Sequence, residues 1–167
     1  MKTLNDYIFE KLKITKDNIR SYQDPIYFPK NRNELMDIIE KKIQDNRKCI
    51  DVSDISLSDL GKKTLGISFY SLDIEEIIGL ESWDVKDIKT MHQLFQKCKN
   101  LKKIDLSTWN VSQCERFDGM FDGCENLTDI GDISDWKISP NADMTGMFNY
   151  CPKELIEKLP KHILKRL

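Results

Sequence analysis

The cysteines are the side chains of this sequence whose spacing most suggests chemistry. Cys98, Cys124 and Cys151 recur at intervals of 26 and 27 residues, and Cys49 and Cys114 lie outside that series. A zinc site would need closely spaced pairs such as C-x-x-C or accompanying histidines, and the sequence has neither. The regular interval instead predicts a column of small buried free thiols, with no metal and no cofactor.

The other residues with catalytic potential form no recognisable constellation. The two histidines, His92 and His162, have no nucleophile or orienting acid at motif spacing. There is no G-x-S-x-G, H-E-x-x-H or Gly-rich phosphate loop in the sequence. Carboxylates such as Glu75 and Glu76 are numerous, but their spacing singles out no acid–base pair. We therefore predict no enzymatic activity and no catalytic residues.

The column cysteines belong to a longer segment that is repeated three times. Each copy has a Trp, then a Phe, then a Cys at fixed offsets. The tryptophans are Trp83, Trp109 and Trp136, and the phenylalanines are Phe95, Phe121 and Phe148. A period between 20 and 50 residues is typical of repeat proteins, in which each unit buries its apolar face against its neighbours.

Each copy contains two patterns of apolar residues. Alternating apolar residues predict short strands at residues 78–80, 104–106 and 130–133, and the extra residue in the third indicates a bulge. Apolar residues at i, i+3, i+4 and i+7 predict short helices over residues 91–98, 117–124 and 144–151. We therefore expect an α/β solenoid, a short leucine-rich-repeat-like stack of strand-helix units with α-helical N- and C-terminal caps.

The order of the residue types that recur in each copy resembles the repeat of a known family. A Trp-x-Val start, followed by M-x-x-L/M-F-x-x-C and Asn-Leu, resembles the roughly 26-residue repeats of BspA-like bacterial leucine-rich-repeat surface proteins. The resemblance is strong over residues 78–152. It is weaker over residues 50–77, where Leu65 and Phe69 stand at the positions of Met91 and Phe95. It implies a protein that acts by presenting a surface. The opening segment also resembles leaders before such repeats in proteins of gut anaerobes and their phages.

The predicted organisation has three parts. They are an N-terminal helical cap over 1–49, the solenoid over 50–152 and a C-terminal helical cap over 153–167. The solenoid divides into a degenerate repeat 50–77 and the repeats 78–103, 104–129 and 130–152. In the N-terminal cap we expect an amphipathic helix over residues 3–13, and a second helix that Asn31 and Glu34 open as a capping box. Pro152 is suited to open a C-terminal helix.

Charge and hydropathy narrow the classes of function and the compartment. A net charge of −2 with 32% charged residues favours neither a nucleic-acid binder nor a disordered tail, and no apolar run could span a membrane. Asp6, Glu10 and Lys11 interrupt the region where a signal peptide would be apolar. This departs from the BspA-like family, whose members are often secreted or lipid-anchored. It predicts a cytoplasmic protein, or one incorporated into a phage virion.

The predicted function is a non-catalytic protein–protein interaction module. The alternative is a structural or accessory protein of a phage particle or other large assembly. The predicted partner-binding residues point outward from the concave strand face and are Glu81, Asp105, Ser107, Asp132 and Ser134. An alternative aromatic surface consists of Tyr22, Tyr27 and Phe28. Charge changes sign from residues 86–103, with six lysines, to residues 105–135, with eight carboxylates, which could steer a partner or simply be solvated.

Overall fold

The computed structural model describes residues 25–45, 48–61 and 63–167. The helix expected over residues 3–13, and Tyr22, lie outside these ranges. The elements in chain order are helix α1 (Arg32–Asp45), strand β1 (Cys49–Asp51), strand β2 (Glu76–Ile78), a 3-10 helix (Leu80–Ser82), helix α2 (Lys153–Lys158) and helix α3 (Lys161–Leu164). β1 and β2 pair in parallel, with Ile50 opposite Ile77.

The prediction of an α/β solenoid built from strand-helix units was wrong. Within the described ranges, β1 and β2 are the only strands, and they form one two-stranded sheet. No strand forms over residues 104–106 or 130–133, and the three segments expected to be helices between Trp83 and Pro152 consist of turns. The repeated sequence is therefore folded mostly as turns and irregular backbone.

The segments expected to be helical are chains of consecutive β-turns, which we call the turn segments. They are residues 65–72, 91–98, 117–124 and 144–151. In the second of them, the N–H groups of Leu94, Gln96 and Cys98 each donate to the carbonyl three residues earlier, at 3.1–3.2 Å. The intervening N–H groups donate to the next copy instead. In an α-helix every N–H donates to the carbonyl four residues earlier. Here alternate N–H groups donate to the next copy, so the segment is not an α-helix.

Backbone conformation at two positions of each turn segment prevents a continuous helix. The first position holds Ile67, Gln93, Gly119 and Gly146, and the second holds Ser71, Lys97, Gly123 and Tyr150, all with φ between 53° and 76°. A residue with such a left-handed φ interrupts a right-handed helix. Glycine adopts it without strain, which explains the glycines of the third turn segment.

Adjacent copies are joined by a regular ladder of backbone hydrogen bonds. Four bonds link each neighbouring pair of turn segments, twelve in all, with N···O distances of 2.7–3.0 Å. Phe95, for example, donates to Met120, and Phe121 donates to Met147. Isolated parallel bridges, including Thr90 to Arg116 and Arg116 to Asp143, mark the same register. Each copy is thus held at a fixed position relative to the next.

The core consists of columns of equivalent side chains. Phe69, Phe95, Phe121 and Phe148 stack at centroid distances of 5.2, 5.6 and 5.2 Å. The indole N–H of Trp109 donates to the Leu80 carbonyl at 2.7 Å, and Trp83 and Trp136 make the same kind of bond to a preceding copy. All three tryptophans are buried. The predicted column of buried cysteines is confirmed for Cys98 and Cys124, whereas Cys151 is only half-buried.

The predicted start of α1 is confirmed. Asn31 Oδ1 accepts from the N–H groups of Asn33 and Glu34 at 3.0 and 3.1 Å, and Glu34 Oε2 accepts from the N–H of Lys30 at 2.9 Å. These reciprocal bonds satisfy N–H groups that a helix leaves unpaired at its start. Leu35 and Ile39 then bury the apolar stripe of α1.

The C-terminal helices cover one part of the last copy. Leu155 of α2 and Ile163 of α3 are buried in the common core, whereas Leu164 and Leu167 are exposed. Arg166 donates to the carbonyls of Ile138, Ser139, Pro140 and Ala142 at 2.9–3.5 Å. A single guanidinium therefore satisfies several backbone acceptors at this end of the described structure.

Candidate protein-binding surfaces

The five residues predicted to bind a partner are all exposed, and we call them the acidic turn face. They are Glu81, Asp105, Ser107, Asp132 and Ser134. Their setting differs from the prediction, because no strand carries them. Glu81 lies in the 3-10 helix, Ser107 and Ser134 lie in turns, and Asp105 and Asp132 lie in irregular backbone just before those turns. They therefore do not form a concave strand face.

Local hydrogen bonds fix two carboxylates of the acidic turn face. Asp105 Oδ1 accepts from the N–H of Ser107 at 3.0 Å, and Asp132 Oδ1 accepts from the N–H of Ser134 at 2.9 Å. Asp and Asn favour such turns because their side chains can bond the backbone two residues on. The Ser134 N–H and hydroxyl lower the pKa of Asp132 below its ordinary value. Asp132 is therefore ionised at neutral pH.

Contacts between copies make the acidic turn face continuous. The Thr108 hydroxyl donates to the Glu81 carbonyl at 2.8 Å, which brings the second and third copies together at this face. Gly131, the extra residue of the last copy, has a positive φ of 77°, and its Cα lies directly against the Asp105 carboxylate. A side chain at Gly131 would collide with Asp105. The residue that precedes Asp132 therefore packs against Asp105.

The carboxylates of this face make no salt bridge with any residue that the structure describes. Several lysines are instead paired with carboxylates of a neighbouring copy. Lys99 contacts Glu125 at 2.9 Å, and Lys102 contacts Glu75 at 2.6 Å. The opposite charges of the second and third copies are thus partly paired with each other within the molecule. The carboxylates of the acidic turn face remain exposed to solvent or to a partner.

The alternative aromatic surface is only partly described, because Tyr22 lies outside the described residues. Tyr27 and Phe28 are 41% and 48% exposed, and Ile26 beside them is 66% exposed. The Lys42 ammonium lies 5.4 Å from the centre of the Tyr27 ring. The N–H groups of Ile26 and Tyr27 both donate to the Asp54 carbonyl. These contacts hold the segment against α1 and the first copy with its apolar side chains outward.

The column cysteines have structural partners. The thiols of Cys98, Cys124 and Cys151 donate to the carbonyls of the Phe residues of the preceding copy, at 2.8, 3.0 and 3.2 Å. Burial raises the pKa of Cys98 and of Cys151 to about 12. Since the thiolate is the reactive form, these side chains are poor nucleophiles. Cys114, which lies outside the column, is also buried.

The histidines lie in separate structural roles. Burial lowers the pKa of His92, whose Nδ1 lies 3.0 Å from the Thr90 hydroxyl. His162 Nε2 lies 3.1 Å from the Trp136 carbonyl at the C-terminal end. Among the residues that the structure describes, no group of three or more His, Cys, Asp or Glu side chains could hold a metal ion.

Two cavities adjoin the acidic turn face. The larger, about 510 Å³, is lined by Ser53, Ser82, Lys63 and Asp84 among others. Several of its polar groups already have partners: Ser53 Oγ donates to Asp51, Ser82 Oγ donates to the Gly79 carbonyl, and Lys86 pairs with Asp84 at 2.8 Å. The smaller, about 250 Å³, lies between Asp132 and α2. Neither concentrates unpaired polar groups as a small-molecule site does.

One set of groups was missed by sequence reasoning because it belongs to the backbone. Among the residues that the structure describes, no copy follows the last turn segment, and its outward N–H groups lack the acceptors that the earlier segments use. Gly119, Gly123 and Gly146 were the available signal, because glycine is unfavourable inside a helix. Their presence indicated turns with a left-handed φ, and hence backbone N–H groups that donate to a neighbouring copy.

No helix within the described residues has both the length and the apolar character that crossing a bilayer requires.

These features define a chain whose repeated sequence makes the same backbone and side-chain contacts from one copy to the next. A family model described as "Mycoplasma protein of unknown function, DUF285" matches residues 65–158. Because the match covers more than half of the 167 residues, the chain belongs to this family. The matched region begins at the first turn segment and ends with the last residue of α2. No curated protein and no solved structure matches the chain.

Proposed function

We propose that this protein is a non-catalytic protein–protein interaction module that acts inside the cell and binds a basic partner through the acidic turn face. One observation carries the proposal. The carboxylates of Glu81, Asp105 and Asp132 are exposed on neighbouring copies, and no described lysine or arginine forms a salt bridge with them. The sequence resemblance to BspA-like surface proteins also supports a binding role.

The rigidity of the face favours binding over a merely solvated charge cluster. Asp105 and Asp132 are held by turn hydrogen bonds, so little side-chain entropy is lost when they meet a partner. Glu81 is anchored through its backbone by Thr108. Charges arranged in this way speed association with a partner of opposite sign and add specificity.

The test replaces the three carboxylates by their amides: Glu81→Gln, Asp105→Asn and Asp132→Asn. Asparagine keeps a side-chain oxygen for the turn hydrogen bonds, so the variant removes charge while keeping the turns. The matched control removes three exposed charges on α1 and α2: Asp37→Asn, Glu40→Gln and Glu157→Gln. Tagged proteins are used to capture partners from the source lysate at low and at physiological ionic strength.

We expect wild type and control to retain the same basic protein, and the triple variant to retain at least about fivefold less, with a weaker salt dependence. Equal retention by the triple variant at both ionic strengths would exclude the acidic turn face. Failure of wild type to retain any protein would contradict the proposed function itself.

A further inference from the structure

The backbone ladder ends at the last turn segment with a row of unused donors. In the three earlier turn segments, the N–H groups at four equivalent positions all donate to the following copy. In the last one, these positions are Met144, Gly146, Phe148 and Tyr150, and none of their N–H groups has an acceptor within the described residues. We call these four N–H groups the donor edge.

The C-terminal segment, residues 153–167, covers the rest of the end of the molecule at which the donor edge lies. Arg166 satisfies carbonyls between Ile138 and Ala142, Lys158 donates to the Thr128 carbonyl at 3.1 Å, and His162 lies against Trp136. The C-terminal segment makes no comparable bond to the donor edge. Backbone N–H groups are obligatory donors that are usually paired in folded proteins, so the donor edge is a part of this end that is left open to a partner.

The surroundings of the donor edge are exposed and acidic. Tyr150 is 81% exposed, and Thr145 and Asn149 beside it are also exposed. A shallow depression of about 340 Å³ next to the edge is lined by Asp118, Asp122 and Asp143 together with glutamine, threonine, asparagine and glycine residues. Arg116 pairs with Asp118 at 3.0 and 3.1 Å and also lies within electrostatic range of Asp143, and Lys97 lies within electrostatic range of Asp122, so the three carboxylates outnumber these two cations. The depression therefore has unneutralised negative charge.

We propose that the donor edge binds a basic segment of a partner protein, which supplies backbone carbonyls as the next step of the ladder and places a lysine or arginine side chain over Asp122 and Asp143. Addition of a partner segment to an unpaired backbone edge is a common mode of peptide recognition. Exposed Tyr150 adds the kind of aromatic contact on which binding energy often concentrates. This proposal rests on the proposed binding function and adds a second surface with its own partner chemistry.

A second copy of this chain is the competing occupant. Its complementary carbonyls would be those of Thr64, Gly66, Ser68 and Tyr70, which have no described donor. Gly66 and Ser68 are buried in the monomer, Ser68 to 3% exposure. Met144 and Phe148 of the donor edge are buried to a similar degree, so it is the acidic depression, and not burial, that favours a basic segment over a second copy.

The chain itself provides a matched pair of probes. A synthetic peptide of residues 86–97 contains the carbonyls that accept from the first turn segment, and it carries three lysines and one aspartate. The equivalent peptide of residues 112–123 has the same turn pattern but is acidic, with Glu115, Asp118 and Asp122 against Arg116. Each peptide is titrated into the full-length, isotopically labelled protein under reducing conditions, and amide resonances and amide hydrogen exchange are recorded.

We expect the basic peptide to shift the amides of Gly146, Phe148 and Tyr150 and to slow their exchange, while Gly119 and Phe121 remain unchanged. The acidic peptide should bind at least fivefold more weakly. A variant with Asp122→Asn and Asp143→Asn should lose at least fivefold in affinity for the basic peptide. A control with Asp135→Asn, an exposed carboxylate outside the depression, should lose none.

Three results would overturn the proposal. They are no change at the donor-edge amides with either peptide, equal affinity for both peptides, and concentration-dependent shifts of these amides in the protein alone, which would identify a second copy as the occupant. Any of these with unchanged partner capture by the acidic turn face would leave the proposed function standing. Loss of partner capture by the acidic turn face, with peptide binding at the donor edge intact, would contradict the proposed function and leave the donor-edge proposal supported.

Discussion

Replacing Phe121 by alanine should destabilise the whole molecule, because this ring, like Phe95, is fully buried and stacked on both sides in the aromatic column. Phe121 has no exposed surface and stacks on both sides, against Phe95 at 5.6 Å and against Phe148 at 5.2 Å. Truncation of a buried Phe to Ala costs about 3–5 kcal/mol, and each lost aromatic pair adds about 0.5–1.5 kcal/mol to simple burial. We therefore expect a loss near the upper end, about 4–5 kcal/mol.

Such a loss is a large part of the roughly 5–15 kcal/mol that stabilises a typical domain. For a chain of this length it should lower the Tm by roughly 8–20 °C, at about 2–4 °C for each kcal/mol. Urea unfolding should be followed by tryptophan fluorescence and by far-UV circular dichroism. Because the ladder connects every copy to its neighbours, the two transitions should coincide.

The matched control is Tyr150→Ala, which removes an aromatic ring from the last turn segment. Tyr150 is 81% exposed, so its loss should change the free energy of unfolding by less than about 0.5 kcal/mol. A loss below about 1 kcal/mol for Phe121→Ala, or equal losses for the two variants, would refute the assignment of Phe121 to a central column. Separate transitions from the two probes would refute the cooperative coupling of the copies.

Two further predictions concern ionisable groups. The pKa of Asp132 is lowered from 3.8 by its bonds to Ser134, so its stabilising contribution is present above the ordinary pKa and is lost as pH falls through the lowered one. Asp132→Asn should therefore be less stable than wild type at pH 7 and approach it near pH 3; a gap that stays constant in urea titrations would contradict this. With a pKa of about 12, buried Cys98 should react with a thiol reagent at pH 8 roughly a thousandfold more slowly than an ordinary thiol, whereas half-buried Cys49 should react first. Equal labelling rates for these two cysteines, read by mass spectrometry, would count against the buried column.

The parts of the structure that sequence predicted well are those in which a local pattern has one physical solution. Asn31 and Glu34 form the expected capping box, because few other arrangements satisfy the N–H groups at a helix start. Leu65 and Phe69 were expected to match Met91 and Phe95, and Phe69 indeed stacks on Phe95. Equivalent residues in a repeat make equivalent contacts, so spacing alone identified the core.

The prediction of a helix in each copy was wrong because the apolar pattern fits two backbone structures. Apolar residues at i, i+3, i+4 and i+7 line one face of an α-helix, but they also line one face of successive four-residue turns. The decision depends on where the intervening N–H groups donate, and that is a contact between copies about 26 residues apart. Gln93 and Lys97 adopt a left-handed φ although neither is glycine, so tertiary contacts here override local preference.

The five residues of the acidic turn face are exposed, as expected from the sequence, but their setting could not be predicted. Asp105 and Asp132 were expected to alternate along strands, whereas each closes a turn on the serine two residues later. The position of Gly131 against Asp105 depends on the register between two copies. The donor edge was invisible to sequence patterns, because it consists of backbone groups and depends on where the ladder stops.

The uniform spacing of the ladder has a consequence for the order in which the chain can fold. Each of its hydrogen bonds joins residues about 26 positions apart, which is roughly 0.16 of the chain and lies in the range of relative contact order where folding takes milliseconds to seconds. Closing a loop of this length is required for every copy, so the entropy lost is nearly the same at each step. The first pair of copies must form without a template, whereas each later copy closes onto a surface that already exists. Nucleation between one neighbouring pair should therefore be the slow event, followed by rapid growth toward both ends.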